Sequence, residues 1–216
     1  MAERDDTLLF ASLGSRECDA AADVLARAFR DNPLNRAVIA SDDPARRVRV
    51  NRAGMRALVP SALHHAVVLA ASTAQRVAGV LIGLPPGRFP LPPPPLLRRV
   101  RCLWGQGWRT AARWGDVFRF LEERHPSGRH WYLATLGVDP ELQRQGIGGG
   151  LLRAWLQQVD GDGAAAYLET DRRTSVDFYR RAGFELVEQT ELLGAAIWRM
   201  HRPAAATVIS TTPRSQ

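Results

Sequence analysis

Apolar positions along the chain change period several times. Short apolar runs at 7–14, 66–72, 76–84, 130–138, 164–171, 184–192 and 195–202 have the length and composition of strands. Helical spacing marks residues 15–30, where Ala22, Leu25, Ala26 and Phe29 share a face behind Ser15 as a cap. It marks 44–58, 151–159 and 174–183 as well. The runs at 66–72 and 76–84 flank a short polar turn, Thr73 to Gln75, and read as a hairpin. "DNPLNR", 31–36, reads as a break between helices. Residues 85–95 hold seven prolines in eleven positions and are expected to be an extended connection. Helical spacing returns at 96–123, in Leu97, Val100, Trp104, Trp108, Ala111, Phe118 and Leu121. Gly105, Gly107 and Gly115 interrupt it, and core packing is the expected use of its Trp stripe. Strands interleaved with helices predict a mixed sheet in an α/β or α+β domain. One domain is expected over 1–202, followed by a small, polar, disordered tail at 203–216.

Composition changes this picture little. The formal net charge is +7, and all 29 basic residues are Arg. With no Lys, the chain has no Lys nucleophile, Schiff base or phosphate clamp. A basic balance is compatible with polyphosphate cofactors, nucleic acid or anionic membranes and does not choose among them. Most Arg residues are interspersed with acids, and Arg46, Arg47, Arg49, Arg52 and Arg56 are expected to form a solvated helix face. Cys18 and Cys102 are far apart and fit buried free thiols, not a disulfide or metal framework. No apolar run approaches the roughly 20 residues that span a bilayer. The opening "MAERDDTLLF" is acidic and lacks a long apolar run, so a cytoplasmic location is expected, with no resident metal and no nucleic-acid or membrane partner.

The chemistry concentrates in "LGVDPELQRQGIGGGLL", residues 136–152. A strand, a glycine-rich turn and a helix start form an anion cradle, because the first N–H groups of a helix lack partners and lie at its positive end. Glycine lets an anion approach the main chain closely. Neither common nucleotide loop is present: the Walker pattern has no Lys, and after Gly146-Ile147-Gly148 the third residue is Leu151, not Gly. Taken alone, the glycines favour a tight turn with close helix–sheet packing over an anion site.

Two linked motifs sharpen this reading. Val138, Pro140, Gln143, Gly146 and Gly148 fill in order the V-x-P-x-x-[QR]-x-x-G-x-[GA] pattern of the GCN5-related N-acetyltransferases. Leu168-Glu169-Thr170, then Phe178-Tyr179 and Gly183-Phe184, resemble the second signature of the same family. The resemblance covers about residues 130–202, and "WYLATLGVDP", "YLET" and "WRM" look closest to its puromycin N-acetyltransferase-like branch. It implies a mostly antiparallel twisted sheet of six to seven strands with flanking helices, splayed at the cofactor site. It also implies acetyl transfer from acetyl-coenzyme A to the primary amine of a small molecule, an antibiotic or metabolite, with acyl-coenzyme A binding without catalysis or peptide N-acetylation open as alternatives on the same fold. A homodimer is also open.

By the same resemblance, the backbone of Leu136, Gly137 and Val138 would pair with the pantetheine arm. The amides of Arg144, Gln145, Gly146, Ile147, Gly148 and Gly149 would hold the pyrophosphate. Ser175 stands where the family often has Asn, with a shorter reach toward the cofactor. Tyr179 occupies the usual general-acid position, and an ordinary Tyr is protonated at neutral pH. The strand before the cradle offers Tyr132 and Thr135 but no carboxylate. Glu169 is therefore the candidate base, or else a structural carboxylate, and His130 is a weaker candidate. Asp31 and Asn32 are candidates to line the acceptor site.

Overall fold

The computed structural model describes residues 8–74 and 76–205. The strand-like runs become β1 (Leu9–Ser12), β2 (Val67–Ser72), β3 (Val77–Leu84), β4 (His130–Val138), β5 (Ala165–Thr170), β6 (Glu185–Leu192) and β7 (Ala195–Arg202). They form one sheet in the order β1-β2-β3-β4-β5-β7-β6. Every adjacent pair is antiparallel except β4 and β5. The helices are α1 (Cys18–Ala28), α2 (Pro33–Ile39), α3 (Pro44–Ala62), α4 (Leu96–Gln106), α5 (Trp108–Glu123), α6 (Ile147–Gly161) and α7 (Arg173–Arg180). This mixed, mostly antiparallel sheet with flanking helices is the α/β architecture expected from the sequence.

β3 is buried along its whole length, so its apolar run does not alternate. On one face α6 packs Leu151, Leu152, Trp155 and Val159 against Leu81, Leu133 and Leu168. On the other, α1 and α3 pack Ala21, Leu25 and Val59 against Val80 and Ile82. Gly83 sets the spacing on the α6 side: a Cβ there would lie 2.0 Å from Trp155 Nε1. Among the described residues, no helix is long and apolar enough to cross a membrane.

Several local expectations need correction. The break at 31–36 is the start of α2, with Pro33 in its first turn, where a missing N–H costs nothing. Gly14, not Ser15, begins the first helical segment, a 3-10 turn at Ser15–Glu17, and its N–H donates to the Glu17 carboxylate at 2.8 Å. α3 runs beyond Leu58 through Pro60 to Ala62, carried by the complete burial of Val59 and Ala62. Its Arg face is not uniformly solvated. Arg47 is buried, donating to Arg30 O, Ser41 O and Asp31 Oδ1. The expected single element at 96–123 is two helices parted by Gly107, whose φ of 81° does not fit a helix. Its Trp stripe is not core: Trp104 is 86% exposed and Trp108 70%. Residues 203–205 lie outside any helix or strand, and the tail expectation beyond them, 206–216, falls outside the described residues.

Candidate active site

The sheet forks at its centre. β4 and β5 pair from His130↔Ala165 to Leu133↔Leu168 and no further. Past that point β4 continues beside β3 as far as Val138, while Glu169 and Thr170 of β5 continue beside β7. The second half of β4 therefore has a free edge. Alternation decides which groups face it. Asp139 N–H donates to Ala78 O, toward β3, so Gly137 also points toward β3 while Leu136 and Val138 point into the fork. Gln143 Nε2 caps Val138 O at 3.2 Å, which leaves the main-chain groups of Leu136 and the Val138 N–H along the slot.

Gly137 has a different part. A Cβ there would stand 2.7 Å from Leu25 Cδ2 and 3.1 Å from Ala28 Cβ, so its smallness lets α1 close on β4. Asp139, at the end of β4, is buried and pairs with Arg27 of α1 at 2.6 Å. Its other oxygen accepts from Glu141 N, fixing the turn that leads to the glycines.

The fork opens onto the start of α6. Arg144 (φ 64°) and Gly146 (φ 81°) are both left-handed, which turns the chain so that the helix begins at Ile147. Among the described residues no side chain caps this end, and its first turn holds no acid. The N–H groups of Ile147, Gly148 and Gly149 precede the first intrahelical bond, which Gly150 N makes to Gly146 O at 2.9 Å. Nothing lies within 4 Å of a Cβ built on Gly149, so the space beside its Cα is open. Gly150 is a packing residue, because a Cβ there would stand 2.3 Å from Phe10 Cζ. Arg144 and Gln145 are exposed on the approach to the turn. The free edge, three unclaimed N–H groups and open space fit a ligand with an amide-bearing arm and a phosphate end.

Tyr179, on α7, is buried between Phe178 and Phe184, with ring centroids at 5.0 and 5.8 Å. Burial, reinforced by the charge of Asp171, raises its pKa above the ordinary tyrosine value, so it stays protonated at neutral pH. Asp171 accepts from Asn32 Nδ2 at 3.0 Å and from Leu34 N at 2.8 Å. Burial raises its own pKa, and these hydrogen bonds oppose the shift. Asn32 is thus tied to the end of β5, whereas Asp31 turns to Arg30 and Arg47. Ser175 is half-buried in the first turn of α7.

Glu169 is the first β5 residue past the fork. It shares a face with Tyr167, which packs with the α1–α3 core, while Leu168 and Tyr179 belong to the α6 core. The two candidate catalytic side chains thus sit on opposite faces of the sheet. Both Glu169 oxygens are buried, and neither completes a hydrogen bond, although the Tyr132 and Tyr167 hydroxyls are close enough to act on the charge. Burial raises the Glu169 pKa, opposed by those hydroxyls and by Arg199. Arg199 donates to Tyr167 Oη at 2.7 Å and also bonds Glu188 and Arg124 O. His130 is held structurally, between Gly128 O at 3.0 Å and His125 Nε2 at 2.9 Å. Phe89 stacks on His125, with centroids 3.7 Å apart. A cavity of about 150 Å³ opens here, lined by Phe89, His125, Pro126, His130 and Tyr132.

The model of the acetyltransferase (GNAT) family matches residues 63–184. The chain belongs to the GNAT family. Acetyl-coenzyme A-dependent acetyl transfer is the general activity of that family. The GNAT fold is also seen in solved structures. A Corynebacterium glutamicum protein described as histone acetyltransferase HPA2 and related acetyltransferase aligns with a TM-score of 0.71 and 19% identity, covering 94% of this chain and 99% of its own. The PaiA N-acetyltransferase of Thermoplasma acidophilum, in complex with coenzyme A, aligns at 0.58 and 14%, covering 91% and 99%. The Escherichia coli ribosomal-protein-S18-alanine N-acetyltransferase aligns at 0.53 and 15%, covering 96% and 100%. At these identities the likeness concerns the fold.

The GNAT signatures point to the glycine turn and to Tyr179 but not to Asp171, whose charge acts on Tyr179. Asp171 follows the Leu-Glu-Thr motif directly, and that adjacency was its one visible signal. Tyr132, Tyr167 and Arg199, which act on Glu169, come from three strands and lie within the stretches "WYLATLGVDP", "YLET" and "WRM", whose meeting at Glu169 only the sheet reveals.

Proposed function

We propose that this GNAT protein transfers the acetyl group of acetyl-coenzyme A to the primary amine of a small molecule. The observation that carries the proposal is the forked sheet, whose free β4 edge leads to an uncapped, glycine-lined helix start. In this reading the Leu136 main chain and the Val138 N–H hold the pantetheine arm, and the N–H groups of Ile147, Gly148 and Gly149 hold the pyrophosphate. Acetyl-coenzyme A supplies an acyl carbon activated as a thioester. A C–N bond forms to the acceptor amine and the C–S bond breaks. Tyr179 gives its proton to the departing sulfur, and Glu169 takes the proton lost by the amine, directly or through water. A raised pKa suits both roles, keeping Tyr179 a donor and making Glu169 a stronger base.

The resemblance to the puromycin N-acetyltransferase-like branch supports a small acceptor. The test is thiol release from acetyl-coenzyme A across a panel of small amines and peptides, with mass spectrometry of the products. Turnover with small primary amines is the expected result. Product from peptides alone, or coenzyme A binding with no product from any amine, would overturn the reading.

A further inference from the structure

α4 presents its apolar side to solvent. Leu96, Leu97, Val100, Leu103 and Trp104 fall within roughly a third of the helix circumference, the width of an ordinary buried stripe. All five are exposed, from 44% at Val100 and Leu103 to 86% at Trp104, and Trp108 continues the surface at the start of α5. The opposite side faces the protein with polar and small groups. Arg98, Cys102 and Gln106 are half-buried there. A Cβ on Gly105 would lie 2.5 Å from Ala53 Cβ of α3, and Gln106 Nε2 reaches Val50 O at 3.5 Å.

The charge on this row and its two borders has one sign. Arg99 and Arg101, both exposed, stand at its two borders. From Pro44 to Gly115 the sequence holds twelve Arg and no Asp or Glu. Arg52 and Arg56 of α3 turn away, toward Asp23 and Asp19 of α1. A cavity of about 650 Å³ opens at the start of α4, where His64, His65, Arg98 and Arg101 meet Leu97 and the prolines of the preceding segment.

We propose that α4 docks this protein on an anionic phospholipid surface. Leu97, Val100 and Trp104 would enter the boundary between headgroups and acyl chains, with Arg99 and Arg101 on the flanking phosphodiesters. The cavity beside Leu97 offers two guanidiniums and two imidazoles to one further headgroup. Charge argues against the other occupants. A second copy of this face would set Arg against Arg with no acid between them. A nucleic acid would bring phosphates against five apolar side chains. The proposal revises the expectation of no membrane contact and does not depend on the acetyl-transfer reading.

The test is co-sedimentation of the full chain with vesicles of phosphatidylcholine, alone or mixed with phosphatidylglycerol, with Trp emission followed in parallel. Binding and a blue shift are expected with the anionic vesicles only, weakening with salt. Leu97→Ser with Trp104→Ser removes two exposed side chains and should cut partitioning more than tenfold while leaving the thermal transition in place. Arg99→Gln and Arg101→Gln should each reduce it roughly fivefold. No binding to anionic vesicles would overturn the proposal, as would binding insensitive to these substitutions. A concentration-dependent dimer that Leu97→Ser with Trp104→Ser dissociates, without vesicle binding, would overturn it in favour of self-association.

Discussion

The Asp171 carboxylate at the end of β5 accepts the Leu34 main-chain N–H at 2.8 Å and the Asn32 side-chain amide at 3.0 Å. One side chain thus caps α2 from across the molecule and stands beside Tyr179. Asp171→Ala would leave the Asn32 amide and an orphan helix N–H without this partner. It should cost about 1–3 kcal/mol in urea unfolding. Asp171→Asn keeps one carbonyl oxygen and should cost less. Coenzyme A affinity, measured by calorimetry, should change little in either variant, because the cradle lies on α6.

Adjacent glycines on α6 should differ in stability and in binding. Gly150→Ala puts a methyl group against the outer end of the Phe10 ring, which is 40% exposed on edge strand β1 and free to swing aside, so the clash should offset the helix gain and leave stability within about 1 kcal/mol of wild type. Gly149→Ala enters open space inside a helix and should stabilise the fold by about 0.5–1 kcal/mol. The same methyl would stand over the amide proposed to hold pyrophosphate, so coenzyme A binding should weaken as stability rises. Thermal denaturation and calorimetry on the two variants separate packing from binding.

Tyr179→Phe keeps the ring between Phe178 and Phe184 and removes only the hydroxyl. As the proposed acid, its loss should lower kcat by about 10²-fold or more, with coenzyme A affinity nearly unchanged. Equal turnover of variant and wild type, under conditions where chemistry limits the rate, would remove Tyr179 from the reaction.

The cradle was legible because it is local. Gly146, Gly148 and Gly149 adjoin the strand they complete, and their spacing survives in the linear order. The Asp171–Asn32 contact spans 139 positions, and nothing in "DNPLNR" announces a helix whose cap comes from β5. Gly137 was expected to pair with the pantetheine arm, but the register with β3 turns its main-chain groups away from the fork. The Trp stripe on α4 misled because periodicity reports an apolar face and not what covers it. Here α3 is approached by Arg98, Cys102, Gly105 and Gln106 instead.

Glu169 is the residue whose role pH can decide. Its pKa is raised above the ordinary value of about 4.5, chiefly by burial. The folded state therefore binds its proton more tightly than the unfolded chain. The resulting stability is complete below about pH 4.5 and is lost as pH rises through the higher folded pKa. His125 acts in the opposite direction: burial lowers its pKa from 6.5 to about 4, so its contribution is present above pH 6.5 and lost on acidification toward 4. The two slopes oppose each other in wild type, and a stability profile of that protein alone would hide both. Glu169→Gln removes one of them. The variant should gain stability relative to wild type as pH rises from acid to neutral, read from thermal transitions across that range. If Glu169 is also the base, the variant should lose kcat by about 10²-fold and lose the acid limb of the pH–rate profile. A variant that gains stability but keeps both kcat and that limb would make Glu169 a structural carboxylate at the fork and leave deprotonation of the amine to water.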